Sequence, residues 1–401
     1  MDKRLLMGVG TGVLVALVGA GTLYGFNNVS SAKEKSSLTG VLSGGTYNKT
    51  KVKALSDVIG SVYIGESDSD EMTEGIYKGF VYGLGDGYTV YLSEDDFNKE
   101  QTEAKGNYVG TGIKFTWGIT NQHLIVTDVI PSSPADKAGI VVGDKIFEID
   151  GIKAMGSNDT KIYEKLVYSG SDPVRYLIKN NAETESKEVE LVADVVEINL
   201  IDAKLLENHI GYIELSGLVE TTPDELQETI DKLISEGAEK FILDLRGVYS
   251  DNCEAVQKLS DLFIGQNEVF SVKNKDNTVT PYTAEKGAYD MPLAVLTNNY
   301  TEGVIEAFPA AIKAFNKGTI VGEKTAGNGT TNVRVPLEDG SGLSITTGVV
   351  LDAEGNQIKD QGVMPDVVQK TVTENTLELV TTGVLKLEND VVLQKAIEVL
   401  K

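Results

Sequence analysis

Two apolar runs constrain the fold of this 401-residue chain most tightly. Lys240-Phe-Ile-Leu-Asp-Leu-Arg246 and Pro292-Leu-Ala-Val-Leu-Thr297 are short and nearly continuous in hydrophobic residues, the pattern of strands covered on both faces. Upstream, His209-Ile-Gly-Tyr-Ile-Glu-Leu215 alternates like a strand. Thr222-Pro223-Asp224 then opens a helix running to Glu236, with proline near its first position and acids in its first turn. Strand–helix–strand order implies a parallel pair, so the chain from about Val195 onward is an α/β core. Leu343–Leu351 is a later strand, and Asp390–Lys401 is an amphipathic helix.

The N-terminus carries a separate signal. Asp2-Lys3-Arg4 precedes an uncharged apolar stretch from Leu5 to Phe26, and a helix of about 20 residues crosses a bilayer. The basic flank comes first, which places the remainder outside the cytoplasm. A retained anchor fits, and so does a cleaved signal, because Ser30-Ser31-Ala32 offers small residues at a cut site. The expected location is the cell membrane, single-pass with the body outside, or secretion if the signal is removed. Residues 27–50 are rich in Ser, Gly, Asn, Thr and Lys and read as a flexible linker.

Composition excludes more than it assigns. With 36 basic against 60 acidic residues the net charge is −24, which repels polyphosphate and argues against nucleic acid as a partner. Cys253 is the single cysteine, so no internal disulfide forms. His123 and His209 are the only histidines and stand in separate segments, which leaves a Ser-His-Asp triad and a Cys/His metal cluster without material. No cofactor and no metal is expected.

Between residues 51 and 105 apolar residues recur at helical spacing, as in Leu55, Val58, Val62 and Met72, Ile76, Phe80, predicting a helical region. It contains Leu84-Gly-Asp-Gly-Tyr-Thr-Val-Tyr-Leu92, expected as the turn of a helix–turn–helix cap. Residues 106–194 resemble a PDZ domain. Tyr108-Val109-Gly110-Thr111-Gly112-Ile113 is similar to the carboxylate-binding loop, where glycines let backbone N–H groups converge on a peptide terminus. Pro134-Ala-Asp-Lys-Ala-Gly139-Ile-Val-Val-Gly143-Asp-Lys-Ile-Phe-Glu-Ile-Asp-Gly151 is similar to the helix–turn–strand signature of the same domain. The segment Trp117–Gln122 suits a lengthened hairpin.

The core resembles the C-terminal processing peptidases, the carboxyl-terminal protease branch of the S41 serine peptidases. Leu243-Asp-Leu-Arg246, Leu84–Leu92 and Gln361-Gly-Val-Met-Pro-Asp366 carry part of the resemblance. Pro292–Glu306 followed by Thr319-Ile-Val-Gly-Glu-Lys-Thr-Ala-Gly-Asn328-Gly-Thr-Thr-Asn332 carries the rest. The resemblance implies a Ser-Lys dyad with the two residues twenty-five positions apart and a supporting Gln four further on. Here those positions hold Gly303, Asn328 and Asn332. Gly303 has no side chain, the Asn328 amide cannot take a proton near neutral pH, and Asn332 is one methylene short. The glycine-rich oxyanion turn of the family reads Gly247-Val-Tyr-Ser-Asp251, and Tyr168 stands near an arginine that some relatives use to couple PDZ and active site.

The expected protein is an α/β (α+β) protease-like core, residues 195–370, with an inserted PDZ domain and an N-terminal transmembrane or signal segment, residues 1–26. Residues 371–401 form a helical tail, which in relatives joins the core or a dimer contact, so a homo-oligomer is open. The function expected is a catalytically inactive pseudoprotease that binds peptides or unfolded protein C-termini. One alternative is an active serine-type endopeptidase with a shifted dyad of Thr301 and Lys324, taken otherwise as a solvated loop Thr and a surface Lys. The other is a structural envelope protein.

Overall fold

The computed structural model describes residues 49–118, 120, 122–166, 172–285, 289–370 and 387–401. The apolar segment Leu5–Phe26, nearly all of the 27–50 linker, Tyr168 and the first part of the 371–401 tail lie outside them. Among the described residues, no helix is long and apolar enough to cross a membrane.

The chain opens with α1 (Lys49–Val62) and α2 (Ser69–Tyr82), the latter capped by Asp68, whose carboxylate accepts from the amides of Asp70 and Glu71. Their periodic apolar residues are not buried as the spacing predicts. Leu55, Val58 and Val62 are more than half exposed, and Phe80 is 46% exposed. The helical period was set by one apolar face, but little of the described chain covers it. After the turn, β1 (Val90–Leu92) pairs antiparallel with a core strand described below, and α3 (Glu94–Glu103) follows. The expected helix–turn–helix cap is therefore a helix, a turn and a strand stitched into the core. The Asp86 carboxylate holds the turn by accepting from the Tyr88 amide and the Thr89 hydroxyl.

The segment that resembles a PDZ domain follows. Its strands are β2 (Asn107–Gly110), β3 (Ile113–Trp117), β4 (Leu124–Val129), β5 (Lys145–Ile149), β6 (Ile152–Lys153), β7 (Val174–Lys179), β8 (Ser186–Leu191) and β9 (Asp194–Glu197). Two helices, α4 (Pro134–Lys137) and α5 (Asp159–Leu166), lie among them. The sheet runs β3-β4-β5-β7-β8 with β6 on β5, while β2 pairs with β9 at the exit of the domain. Leu124, Val126, Ile146, Ile149, Tyr176 and Ile178 fill its core, each contributing about 1.5–3 kcal/mol on burial. The expected hairpin at Trp117–Gln122 lies between β3 and β4, closed by a 3.0 Å hydrogen bond from the Gly118 amide to the His123 carbonyl.

The core is built on β10 (Ile201–Leu206), β11 (Ile210–Leu215), α6 (Thr222–Ser235), β12 (Lys240–Asp244), β13 (Tyr249–Ser250) and α7 (Cys253–Asp261). It continues with β14 (Asn267–Asn274), β15 (Val279–Ala284), β16 (Leu293–Thr297), β17 (Glu302–Gly303), α8 (Ala307–Ala314) and β18 (Thr319–Gly322). The last elements are β19 (Thr330–Pro336), β20 (Gly342–Asp352), β21 (Val367–Val368) and α9 (Val391–Val399). One sheet runs β10-β11-β12-β16-β18-β21, parallel from β11 onward. Its strands alternate between two covered faces, which is why they read as continuous apolar runs. Phe241, Leu243 and Val295 pack with Leu226 and Ile230 of α6 and Phe308 of α8. Ile242, Ala294 and Leu296 pack on the other face with Val392, Leu393 and Ala396 of α9. The C-terminal helix is thus spent on the chain's own sheet. A second sheet, β1-β20-β14-β15 with β19 on β20, stands beside the first.

Candidate active site

The site lies where β12 and β16 end. Beyond Asp244 the chain turns through Leu245 and Arg246. The Arg246 guanidinium donates to Asp244 Oδ1 at 2.9 Å and to Asp390 Oδ2, at the N-cap of α9, at 2.7 Å. Tyr212 donates its hydroxyl to Asp244 Oδ2 at 2.9 Å. This network pins the turn that leads into the expected oxyanion segment Gly247–Asp251.

That segment does not present an open cradle. Tyr249 and Ser250 form β13, which pairs in parallel with β17: Tyr249 faces Glu302 and Ser250 faces Gly303. The Glu302 amide donates to the Val248 carbonyl at 3.0 Å, and the Gly247 amide donates to Asn298 Oδ1 at 3.1 Å. The position of the family nucleophile is therefore closed by backbone.

Gly303 has φ +96° and ψ −150°, a conformation open in practice to glycine alone. A Cβ at this position would lie 2.4 Å from the Ser250 carbonyl oxygen and 3.1 Å from its carbonyl carbon. More than a hydroxyl is missing here: its space is filled by β13.

Behind Gly303 lies a group whose importance the sequence did not disclose. Glu306 is fully buried, and its carboxylate accepts from four donors. These are the amides of Gly303 (3.2 Å), Gly327 (2.7 Å) and Gly329 (3.1 Å) and the Thr325 hydroxyl. Burial pushes its carboxyl above the ordinary range, and the donors from Thr325, Gly327, Gly329 and Gly303 pull the other way. One carboxylate thus holds β17 and the 325–329 loop together, the two segments that carry the dyad positions.

Asn328 is 2% exposed and fully committed. Its Nδ2 donates to Glu302 Oε1 at 3.2 Å, and its Oδ1 accepts from the Thr330 hydroxyl. Asn332 does not support a base; its Nδ2 donates to the Tyr88 carbonyl at 2.8 Å and ties the Leu84–Leu92 turn to the core. The structure also corrects the picture of Thr301 as a solvated loop residue. It is fully buried, donating to the Leu245 carbonyl at 2.8 Å and accepting from the Asn298 amide at 3.1 Å. Lys324 is exposed. A buried, doubly bonded hydroxyl and a solvated ammonium lack the desolvated contact by which a lysine activates a nucleophile.

Beside β13 sits a buried ionic cluster that spacing could not reveal. Arg334 of β19 donates to Asp251 Oδ2 at 3.0 Å and to Glu100 Oε2 of α3 at 2.9 Å. Asp251 Oδ1 is buried without a hydrogen-bond partner. Burial pushes the Asp251 carboxyl up to about 6 despite Arg334. Cys253, close by in sequence, is a free thiol that burial raises to about 12, so it is no nucleophile at neutral pH. Among the described residues, no group of three or more His, Cys, Asp or Glu side chains could hold a metal ion.

The predicted peptide-binding loop joins two strands. Tyr108, Val109 and Gly110 lie in β2, Thr111 and Gly112 form the connection, and Ile113 opens β3, an edge strand of its sheet. Ile113 packs into the same core as Ile162 and Leu166 of α5. Gly112 has φ +84°, and a Cβ there would lie 2.2 Å from Ser133 Cβ and Oγ. Bulky replacement at Gly112 therefore disturbs the fold and is no clean probe of binding.

The chain thus places a PDZ-like unit ahead of a parallel core whose strand-end site is closed by backbone. The sequence model of peptidase family S41 matches residues 209–369, and a PDZ-domain model matches residues 125–179. The chain belongs to the C-terminal processing peptidase family. It is 28% identical over 357 residues to the carboxy-terminal processing protease CtpA of Bacillus subtilis, covering 88% of this chain and 75% of that protein. It is 26% identical over 348 residues to a CtpA-like serine protease of Staphylococcus aureus, covering 86% of this chain and 69% of the relative. An S41 protease structure from Bacteroides fragilis shares the fold, with a TM-score of 0.57 at 16% identity over 80% of this chain and 89% of that one.

Proposed function

We propose that this chain is a non-hydrolysing member of its family, an exported protein that binds extended peptides or unfolded protein C-termini without cutting them. The observation that carries this is the Ser250 carbonyl oxygen 2.4 Å from where any Gly303 side chain would begin, with the Asn328 amide spent on Glu302 and Thr330. Loss of the nucleophile in a Ser-based site costs on the order of 10⁶ in turnover. The free edge of β3 supports the binding half, since an edge strand offers main-chain donors and acceptors to an added strand. The full chain is expected to release no fragments from casein and to take no label from serine-directed phosphonates. Turnover abolished by Thr301→Ala would overturn this in favour of the shifted dyad.

Its place in the cell follows from the N-terminal charge pattern. We place the body outside the cytoplasm, tethered by Leu5–Phe26 when that segment is retained. Protease added to intact spheroplasts is expected to digest the body. A fully protected body would show the opposite orientation, and a mature chain beginning near Lys33 would show a cleaved signal.

A further inference from the structure

We propose that Glu214, Tyr212 and Asp244 form a proton-holding chain, and that release of the Glu214 proton as pH rises loosens the seat of the C-terminal helix α9. The observation that carries this is one hydroxyl hydrogen standing between two carboxyl groups. The buried Tyr212 oxygen lies 2.9 Å from Asp244 Oδ2 and 3.2 Å from Glu214 Oε2. A phenol has one hydrogen to donate. Asp244 takes it, because that carboxylate is held ionised by Arg246, whose Nε donates to its two oxygens at 2.9 and 3.0 Å. Glu214 then meets the same phenol oxygen as acceptor against acceptor unless it brings a proton of its own. With that proton every link has a donor: Glu214 donates to Tyr212, Tyr212 to Asp244, and Arg246 to Asp244 from the other side.

The register of the sheet presses acids together at this point. Glu214 of β11 stands opposite Asp202 on β10 and beside Asp244 on β12, so three carboxyl groups share one row on one face. Lys204 of β10 stands opposite Tyr212, with its Nζ 5.4 Å from the ring centroid. Arg246 follows β12, and Asp390 comes from the N-cap of α9, whose apolar side chains cover the same face. Four carboxyl groups thus face two cations, and one proton on Glu214 halves the excess. Desolvation and the Asp244 charge push the Glu214 carboxyl above its ordinary range, with Arg246 pulling the other way. The outer side of Glu214 is open to water, which takes the proton when it leaves. The loss reaches α9 through a single guanidinium. Arg246 is shared between Asp244 and Asp390, and Asp390 Oδ1 accepts from the Val392 and Leu393 amides that open the helix. An ionised Glu214 competes for the Tyr212 hydrogen, leaves Asp244 less satisfied and draws Arg246 away from Asp390.

The test compares the full chain with Glu214→Gln, which keeps the donor of the protonated acid at every pH. A proton held more tightly in the folded chain contributes stability that is present at low pH and lost as pH rises through the folded value. Parent and variant are therefore expected to melt together at pH 4 and to separate as pH rises, the variant melting roughly 2–6 °C higher at pH 8. Hydrogen exchange of the α9 amides is read for both proteins at the same pH, so that the intrinsic chemistry cancels. It is expected to be at least threefold faster in the parent at pH 8 and equal in the two at pH 5. Carbon NMR of the parent's Glu214 carboxyl, assigned by its absence from the variant, is expected to titrate at least one pH unit above a free glutamate, near ~4.3. In a Tyr212→Phe background the exchange gap between Glu and Gln at position 214 is expected to vanish, because the chain is cut. A Glu214 that titrates like a free glutamate overturns the proposal, and so does equal α9 exchange at pH 8. An exchange gap that survives in Tyr212→Phe overturns it too, because the charge would then act without the phenol.

Discussion

Returning the family residues to the dyad positions, Gly303→Ser with Asn328→Lys, is expected to give a protein that is inactive and less stable than the parent. The serine needs a conformation that side-chain-bearing residues rarely adopt, at a cost of about 1–3 kcal/mol. Its Cβ would also stand 2.4 Å from the Ser250 carbonyl oxygen, so β17 must separate from β13 or the chain must shift. The Glu302 amide bonds to Val248 along the same seam and would be disturbed with it. The lysine enters a position 2% exposed, where Asn328 now bridges Glu302 and Thr330, and it brings a charge to be desolvated. Together these effects cost on the order of 3 kcal/mol or more, a fall in Tm of roughly 6–12 °C for a core of this size. The measurements are thermal unfolding and phosphonate labelling of Gly303→Ser alone and of the double variant. A Gly303→Ser protein that melts with the parent would show that β13 yields readily. Labelling of the double variant would show that the site is two side chains away from activity.

The sequence disclosed those parts of the fold in which one property repeats along a segment. Strands β11, β12 and β16 were legible because both faces of their sheet are covered, which leaves an apolar signature in consecutive residues. The helix at 222–236 was legible from its proline and first-turn acids, and it ends at Ser235 with Glu236 as its cap. That position 303 carries no side chain was legible as well, because glycine is visible in the residue name. What packs against Gly303 was not. That depends on β13 and β17, two strands of two residues each, and no periodicity can mark so short a pair.

Burial was the other thing the sequence could not assign. Thr301 carries a polar side chain and sits in a strand-to-helix connection, so solvent was the natural expectation. It is buried because the Leu245 carbonyl and the Asn298 amide satisfy its hydroxyl there. Leu55, Val58 and Val62 went the opposite way. Their spacing correctly gave a helix, but spacing says which residues share a face and nothing about what covers it. Glu306, Asp251 and Arg334 look in the sequence like any surface charges. Glu306 is buried because the 325–329 loop folds back onto it, and Arg334 and Asp251 because their partners come from distant segments, 83 residues apart for Arg334 and Asp251 and 234 for Arg334 and Glu100.

That last cluster carries the second large expected effect. Arg334→Met keeps the bulk of the side chain but leaves the Asp251 and Glu100 carboxylates buried without their cation, and breaking such a pair costs about 3–5 kcal/mol near neutral pH. The expected fall in Tm is roughly 6–20 °C. The pH dependence distinguishes this cause from lost packing. Burial already raises both carboxyls, Asp251 to about 6, so their penalty grows as pH rises from the unfolded value to the folded one and is constant above it. Without Arg334 the folded values rise further, and the penalty continues to grow above pH 6, where the parent has levelled off. The gap in Tm between variant and parent should therefore be small at pH 5 and widen toward pH 8. Adding Asp251→Asn and Glu100→Gln to Arg334→Met removes the stranded charges and should recover most of the loss at pH 8, a non-additivity that reports direct coupling. A gap independent of pH, or no recovery in the triple variant, would mean that Arg334 acts through packing alone. Recovery would establish that α3, β13 and β19 are held together by one guanidinium, which fixes the strand that closes over Gly303.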